Sequence, residues 1–200
     1  MERTEDKIYA ILGDTINYFN IDGYVNFSRN NLICLYNNGL LEDLKAYINK
    51  YMNISKRKDY EYIATGSTSC VFRIGDYVFK LLYKKYDKEI CPDSFLILKT
   101  YEKKYVRNKN NKVLSGIEVQ PYLSKNARDV SKDILLSYKE ELKKQKLEIK
   151  DSLLYGKYGD NIMLLDDYKD ADYFNPELLP DWFKSHPLVL VDRDLVNKRK

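Results

Sequence analysis

Cysteine and histidine are scarce in this chain of 200 residues, with three of the first and one of the second. Cys34, Cys70 and Cys91 form neither an even set nor a C-x-x-C pair. A disulfide framework is therefore not expected, and a reducing compartment fits best. His186 alone leaves a zinc site or a Ser-His-Asp triad without the residues it needs. Glycine and proline are few as well, at 8 and 5, which argues against fibrous or low-complexity chains. Apolar runs are short. Residues 78–82 are interrupted by Lys80 and residues 188–191 make only four, so no membrane span is expected. Residues 1–6, Met-Glu-Arg-Thr-Glu-Asp, are acidic and polar, unlike a secretory leader.

What is present describes a globular protein. Hydrophobic residues make up 44% and charged residues 32% of the chain, enough for a real core at this length. The net charge of +4 arises from 34 basic and 30 acidic residues mixed along the sequence. The densest basic stretch, 101–112, carries Lys103, Lys104, Arg107, Lys109 and Lys112 and reads as a solvated loop or helix face. Without a basic stripe, a nucleic-acid partner is disfavoured.

Residues 1–58 read as a helical extension. Ile8, Ile11, Leu12, Ile16 and Phe19 recur at helical spacing, and Leu41, Leu44, Tyr47, Ile48 and Tyr51 predict a helix over 40–51. The polar stretch 55–59 marks the boundary. Strands are predicted at 60–64, 70–74 and 77–82, with a tight Gly75-Asp76 turn between the last two. The spacing of Phe95, Leu98 and Tyr101 after Pro92 predicts a helix over 93–104. Two strands, 112–114 and 117–123, are expected around a Ser115-Gly116 turn. An amphipathic helix is expected over 130–147, with short apolar strands at 162–165 and 188–191. Trp182 and His186, in the insert between those strands, read as local packing. The fold class is α+β.

Ile63-Ala64-Thr65-Gly66-Ser67-Thr68-Ser69-Cys70-Val71 falls between the first two strands, and Lys80 lies inside the apolar third. A lysine there is costly unless it has a use. Strand, small-residue turn, strand and lysine together resemble the phosphate-covering loop and strand lysine of the protein-kinase-like superfamily. Ala64, Gly66 and Ser69 stand at the family's three glycine positions. Residues 117–123 look like the fifth strand running into the hinge. The wording Gly159-Asp160-Asn161-Ile162-Met163 resembles the end of a catalytic loop, and Asp192 after 188–191 resembles the metal-binding aspartate. The pieces run in the family's order over 60–194, and the short span from Val71 to Lys80 resembles compact bacterial and phage members.

The resemblance implies a kinase-like fold in three parts: the extension 1–58, an N-lobe over 59–123 with a small antiparallel sheet, and a reduced C-lobe over 124–200. It implies ATP and Mg²⁺ as cofactors. Ala64, Gly66, Ser67, Thr68, Ser69 and Val71 would cover the nucleotide, Lys80 would hold its phosphates, and Gln120 and Tyr122 would meet adenine through the hinge backbone. Asn161 and Asp192 would hold the metal. Glu102, on the expected helix 93–104, would pair with Lys80, with Glu89 as the alternative. The position five before Asn161, where the family keeps its catalytic aspartate, is Gly156. Asp151 is the preferred replacement, with Asp160 and Asp194 as alternatives. Only six residues follow Asp194, so the second lobe is expected to be small and the helices of 1–58 to support it. The implied activity is transfer of a phosphoryl group to a protein or small-molecule hydroxyl in the cytoplasm, or in a host cytosol if the chain is a delivered effector. The alternative is a pseudokinase that works as a nucleotide- or partner-binding module.

Overall fold

The computed structural model describes residues 3–19, 25–66, 69–83, 94–125, 130–148, 162–170, 176–191 and 197–198. The chain divides into two compact units, one of residues 1–88 and 100–122, the other of 89–99 and 123–200.

The first unit joins three helices to a five-stranded antiparallel sheet. Helix α1 spans Thr4–Leu12 and continues as a 3₁₀ turn over Gly13–Phe19; α2 spans Val25–Asn37 and α3 Leu41–Ile54. The strands are β1 (Tyr60–Thr65), β2 (Ser69–Ile74), β3 (Tyr77–Leu82), β4 (Glu102–Arg107) and β5 (Val113–Pro121). They lie in the order β1-β2-β3-β5-β4. Leu41, Leu44, Ile48 and Tyr51 form the buried stripe of α3, as their spacing requires. They share one core with Ile8 and Leu12 of α1, Leu35 of α2, and Cys70, Phe72, Phe79, Leu81, Ile117 and Val119 of the sheet. Residues 1–58 are therefore no separable extension. An amphipathic helix must bury its apolar stripe, and here the stripe covers one face of the five-stranded sheet, within the unit that contains it.

Two further expectations are corrected. Among the described residues of 93–104 there is no helix. Phe95, Leu96, Ile97 and Leu98 are all buried, which a single helix face cannot achieve, and the chain enters strand β4 at Glu102. The spacing of Phe95, Leu98 and Tyr101 imitated a helix inside a fully buried apolar run. Ser115-Gly116 is likewise no turn, because both residues lie inside the continuous strand β5. Gly116 is needed for close approach: a Cβ there would lie 2.5 Å from Tyr105 Cδ1 and 2.8 Å from the Lys104 carbonyl. The true turn is 108–112. Asn108 Oδ1 accepts from the amides of Asn110 and Lys112, both at 3.0 Å, and Asn111 takes the left-handed conformation.

The Gly75-Asp76 turn is present and is tied to the segment after α3. Ser55 Oγ donates to Asp76 Oδ2 and accepts from Asp76 N, both at 2.8 Å, and Lys56 N donates to the same carboxylate at 2.7 Å. Burial pushes the Asp76 carboxyl up, but the Ser55 and backbone hydrogen bonds outweigh it and hold the group below the usual range. Asp59 is also lowered, by its hydrogen bond to Arg73 at 2.7 Å. For groups depressed in the folded state, the stabilisation is present above the unfolded pKa of about 3.9 and is lost as pH falls through the lower folded values. The urea midpoint of the first unit should therefore fall from about pH 4 downward, and Arg73→Ala should flatten that fall. An unchanged acid profile in the variant would contradict the assignment.

The second unit is built on α4 (Lys132–Lys144), capped by Ser131, whose Oγ accepts from Ile134 N. Leu135, Tyr138 and Leu142 form its buried face. Strand β6 (Leu147–Glu148) pairs with β9 (Asn197–Lys198), and β7 (Ile162–Leu164) pairs antiparallel with β8 (Leu188–Leu190). Residues 94–97 form a turn closed by Ile97 N donating to Ser94 O at 3.1 Å, and Ile97 then bridges Leu190 of β8, with Leu98 N donating to Leu190 O at 2.8 Å and Leu190 N to Leu96 O at 2.9 Å. Tyr138 Oη caps Leu96 O at 2.9 Å. The short helix α5 (Asp181–Ser185) brings Phe183 against Phe95 and Trp182 against Tyr138. Among the described residues, no helix is long and apolar enough to cross a membrane.

Candidate functional site

Strand register decides which side chains share a face. Ala64 pairs with Val71, Val71 with Lys80, Lys80 with Glu118, and Glu118 with Lys103. Directly opposed residues of antiparallel strands lie on the same side. These five therefore form one transverse row across all five strands. The next row holds Glu61, Arg73, Val78 and Gln120. Both rows lie on the face opposite the helices, since Phe72, Phe79 and Val119 alternate with them along their strands and belong to the helix-covered core.

A β-bulge brings Ala64 into this row. The β1–β2 register shifts between Tyr62 and Ala64. Tyr62 pairs with Phe72 on the covered face, and strict alternation would put Ala64 there too. The extra residue, Ile63, turns Ala64 to the side of Lys80.

Gly66 is exposed, and its N–H donates to Ser69 O at 2.9 Å, which closes the loop between β1 and β2. Tyr83 Oη donates to Gly66 O at 2.5 Å. Among the described residues, a Cβ at Gly66 would meet nothing nearer than Ser69 O at 3.9 Å. Ser69 opens β2 on the Lys80 side, opposite Leu82. Ser67 and Thr68 lie outside the described residues. Cys70 is buried on the helix side, with its Sγ 3.2 Å from Thr65 Oγ1, and burial pushes its thiol pKa up.

Glu102 is not the partner of Lys80. It pairs with Val119 and falls in the row Tyr62, Phe72, Phe79, Val119, on the opposite face of the sheet. Its carboxylate accepts from Lys50 Nζ at 2.5 Å and Tyr51 Oη at 3.1 Å, both on α3. Burial and this carboxylate push the Tyr51 phenol strongly upward. The expected helix would have left the facing of Glu102 open, whereas a strand fixes it by parity. The acid opposite Lys80 is Glu118, 2% exposed, and Tyr105 Oη donates to its Oε1. Its signal in the sequence was a glutamate inside the apolar stretch Ile117-Glu118-Val119, as conspicuous as Lys80 itself.

The Gln120 side chain is buried and donates to Thr100 Oγ1 at 3.1 Å. Tyr122 N donates to Asp76 O at 2.9 Å, and its ring lies 5.2 Å beneath the Arg73 guanidinium. These donors are engaged within the first unit. Tyr122 is also the last residue of the first unit. Asp151, Asn161 and Asp192 lie outside the described residues, as do Gly156, Asp160, Asp194 and Glu89. Among the described residues, no group of three His, Cys, Asp or Glu could hold a metal ion.

No protein-family model matches this chain, and a search of curated proteins gave no match.

Proposed function

We propose that this chain is a nucleotide-binding phosphotransferase of the protein-kinase-like kind, moving the γ-phosphoryl group of ATP to a hydroxyl on a protein or small molecule. The observation that carries the reading is the row in which Lys80 stands beside Val71 and Ala64, on the sheet face opposite the helices. Val78 and Val71 give that face apolar surface for a base. Lys80 supplies a compact charge for phosphate. Gly66 and Ser69 flank the loop between the same two strands, whose Ser67, Thr68 and Ser69 would offer hydroxyl donors to phosphate. A bound Mg²⁺, for which the sequence offers Asn161 and Asp192, would neutralise charge on the phosphates. In transfer, the acceptor oxygen bonds to Pγ, the bond from Pγ to the β,γ-bridging oxygen breaks to leave ADP, and the hydroxyl proton passes to Asp151. Positioning and electrostatics carry most of such a reaction. Gly156 at the usual aspartate position favours a second reading, a protein that binds nucleotide without transfer.

Thermal unfolding with millimolar MgATP tests this. Ligand at 100 times its dissociation constant adds about 2.7 kcal/mol, a rise of a few degrees. The wild type should show the rise. Lys80→Met should abolish it. Gly66→Ala should reduce it while shifting nucleotide-free stability by no more than about 0.5 kcal/mol, since its Cβ would make an ordinary contact with Ser69 O at 3.9 Å. A rise together with labelled γ-phosphate appearing on an acceptor supports the enzyme, and a rise without transfer supports the second reading. No rise in the wild type overturns both.

A further inference from the structure

We infer that Glu118 is the carboxylate that positions Lys80 for the nucleotide phosphates, an assignment that rests on the nucleotide reading above. Glu118 stands directly between two lysines in its row, Lys80 on β3 and Lys103 on β4. Opposed residues place their Cβ atoms about 4.5–5.5 Å apart, so either ammonium group can reach the carboxylate. A carboxylate this buried stays ionised only with cations and hydrogen-bond donors around it, and Tyr105 Oη is one such donor. Its strand, β5, is flanked by paired strands on both sides, which makes it a firm mount. Lys80 sits on a flexible four-carbon stem and gains from an anchor. Glu102 cannot serve, because it lies on the other face among residues of α3.

The charges of the row matter as much as its geometry. One carboxylate between two ammonium groups leaves an excess of one positive charge, which suits an anionic ligand. Replacing Glu118 by Gln raises that excess, so attraction alone predicts tighter ATP binding. Positioning predicts the reverse.

The test measures binding of MgATP and of adenosine, which has no phosphates, to the wild-type chain, to Glu118→Gln and to the double variant Lys103→Met/Glu118→Gln. The double variant restores the original excess charge at the cost of one exposed side chain, Lys103, so charge and positioning are read separately. The expected result is ATP binding at least about tenfold weaker in both variants, the scale of one charge-assisted hydrogen bond, with adenosine unchanged. Unchanged or tighter ATP binding would overturn the inference alone. An equal loss for both ligands would assign Glu118 to the fold only and overturn it too. A wild-type chain that binds neither ligand would overturn the nucleotide reading itself, so the two failures are told apart.

Discussion

Deleting residues 1–55 should unfold the first unit. The deletion removes α1, α2 and α3 and bares the sheet face that carries Phe72, Phe79, Leu81 and Ile117, each fully buried in the intact chain. At about 1.5–3 kcal/mol for each large apolar side chain, exposing these four alone matches the ~5–15 kcal/mol that holds a typical domain together. The T-shaped contact of Phe19 with Phe72, with ring centroids at 5.1 Å, and the ion pair of Lys50 with Glu102 are lost with it. Amide hydrogen exchange within β2, β3 and β5 would report the first unit. Trp182, the one tryptophan of the chain, lies in the second unit and reports it separately. A truncated chain with cooperative unfolding and native exchange protection in these strands would show that the sheet does not depend on these helices.

Gly75→Ala should cost about 3 kcal/mol, from two sources. Gly75 has φ of 61° in the turn between β2 and β3, where a Cβ costs roughly 1–2 kcal/mol. That Cβ would also collide with Ser55 Oγ and lie 3.0 Å from the Arg57 carbonyl. Ser55 must then move, and its two hydrogen bonds with Asp76, worth about 1 kcal/mol each, are broken. Urea unfolding of Gly75→Ala, Ser55→Gly and the double variant separates the sources. Ser55→Gly removes the atoms in collision, so the double variant should lose less than the sum of the single losses. Strict additivity would mean that the clash is relieved by backbone movement instead, and a single-variant loss below about 0.5 kcal/mol would contradict both sources.

The same turn is legible in the amino-acid sequence alone, whereas the run 95–98 and the pair Ser115-Gly116 are not, and the difference is one of range. Gly75-Asp76 lies between two runs of β-branched and aromatic residues, a signal complete within a dozen positions. The stripes of α1 and α3 and the two short strands at 162–164 and 188–190 are local in the same way. Residues 95–98 carry no such signal, because four successive apolar residues satisfy a helix and a buried turn that ends in a single bridge equally well. What settles them is a partner, Leu190, about 90 positions away in sequence and bonded to their backbone. Gly116 misleads for a related reason: a glycine that admits Tyr105 from the neighbouring strand looks the same in one dimension as a glycine that turns the chain.

The candidate site divides along the same line. The sequence by itself determined that the chain is α+β, that a small-residue loop joins its first two strands, and that a lysine sits inside the third, since each follows from short-range pattern and the cost of burying charge. Only the tertiary structure decided which residues meet there. Register placed Glu118 opposite Lys80, and parity sent Glu102 to the far face. A single bulged residue turned Ala64 to the side of Lys80. A strand has a period of two, so one inserted residue, or one helix read where a strand lies, exchanges the faces of everything beyond it, and no local pattern records which face another part of the chain will cover.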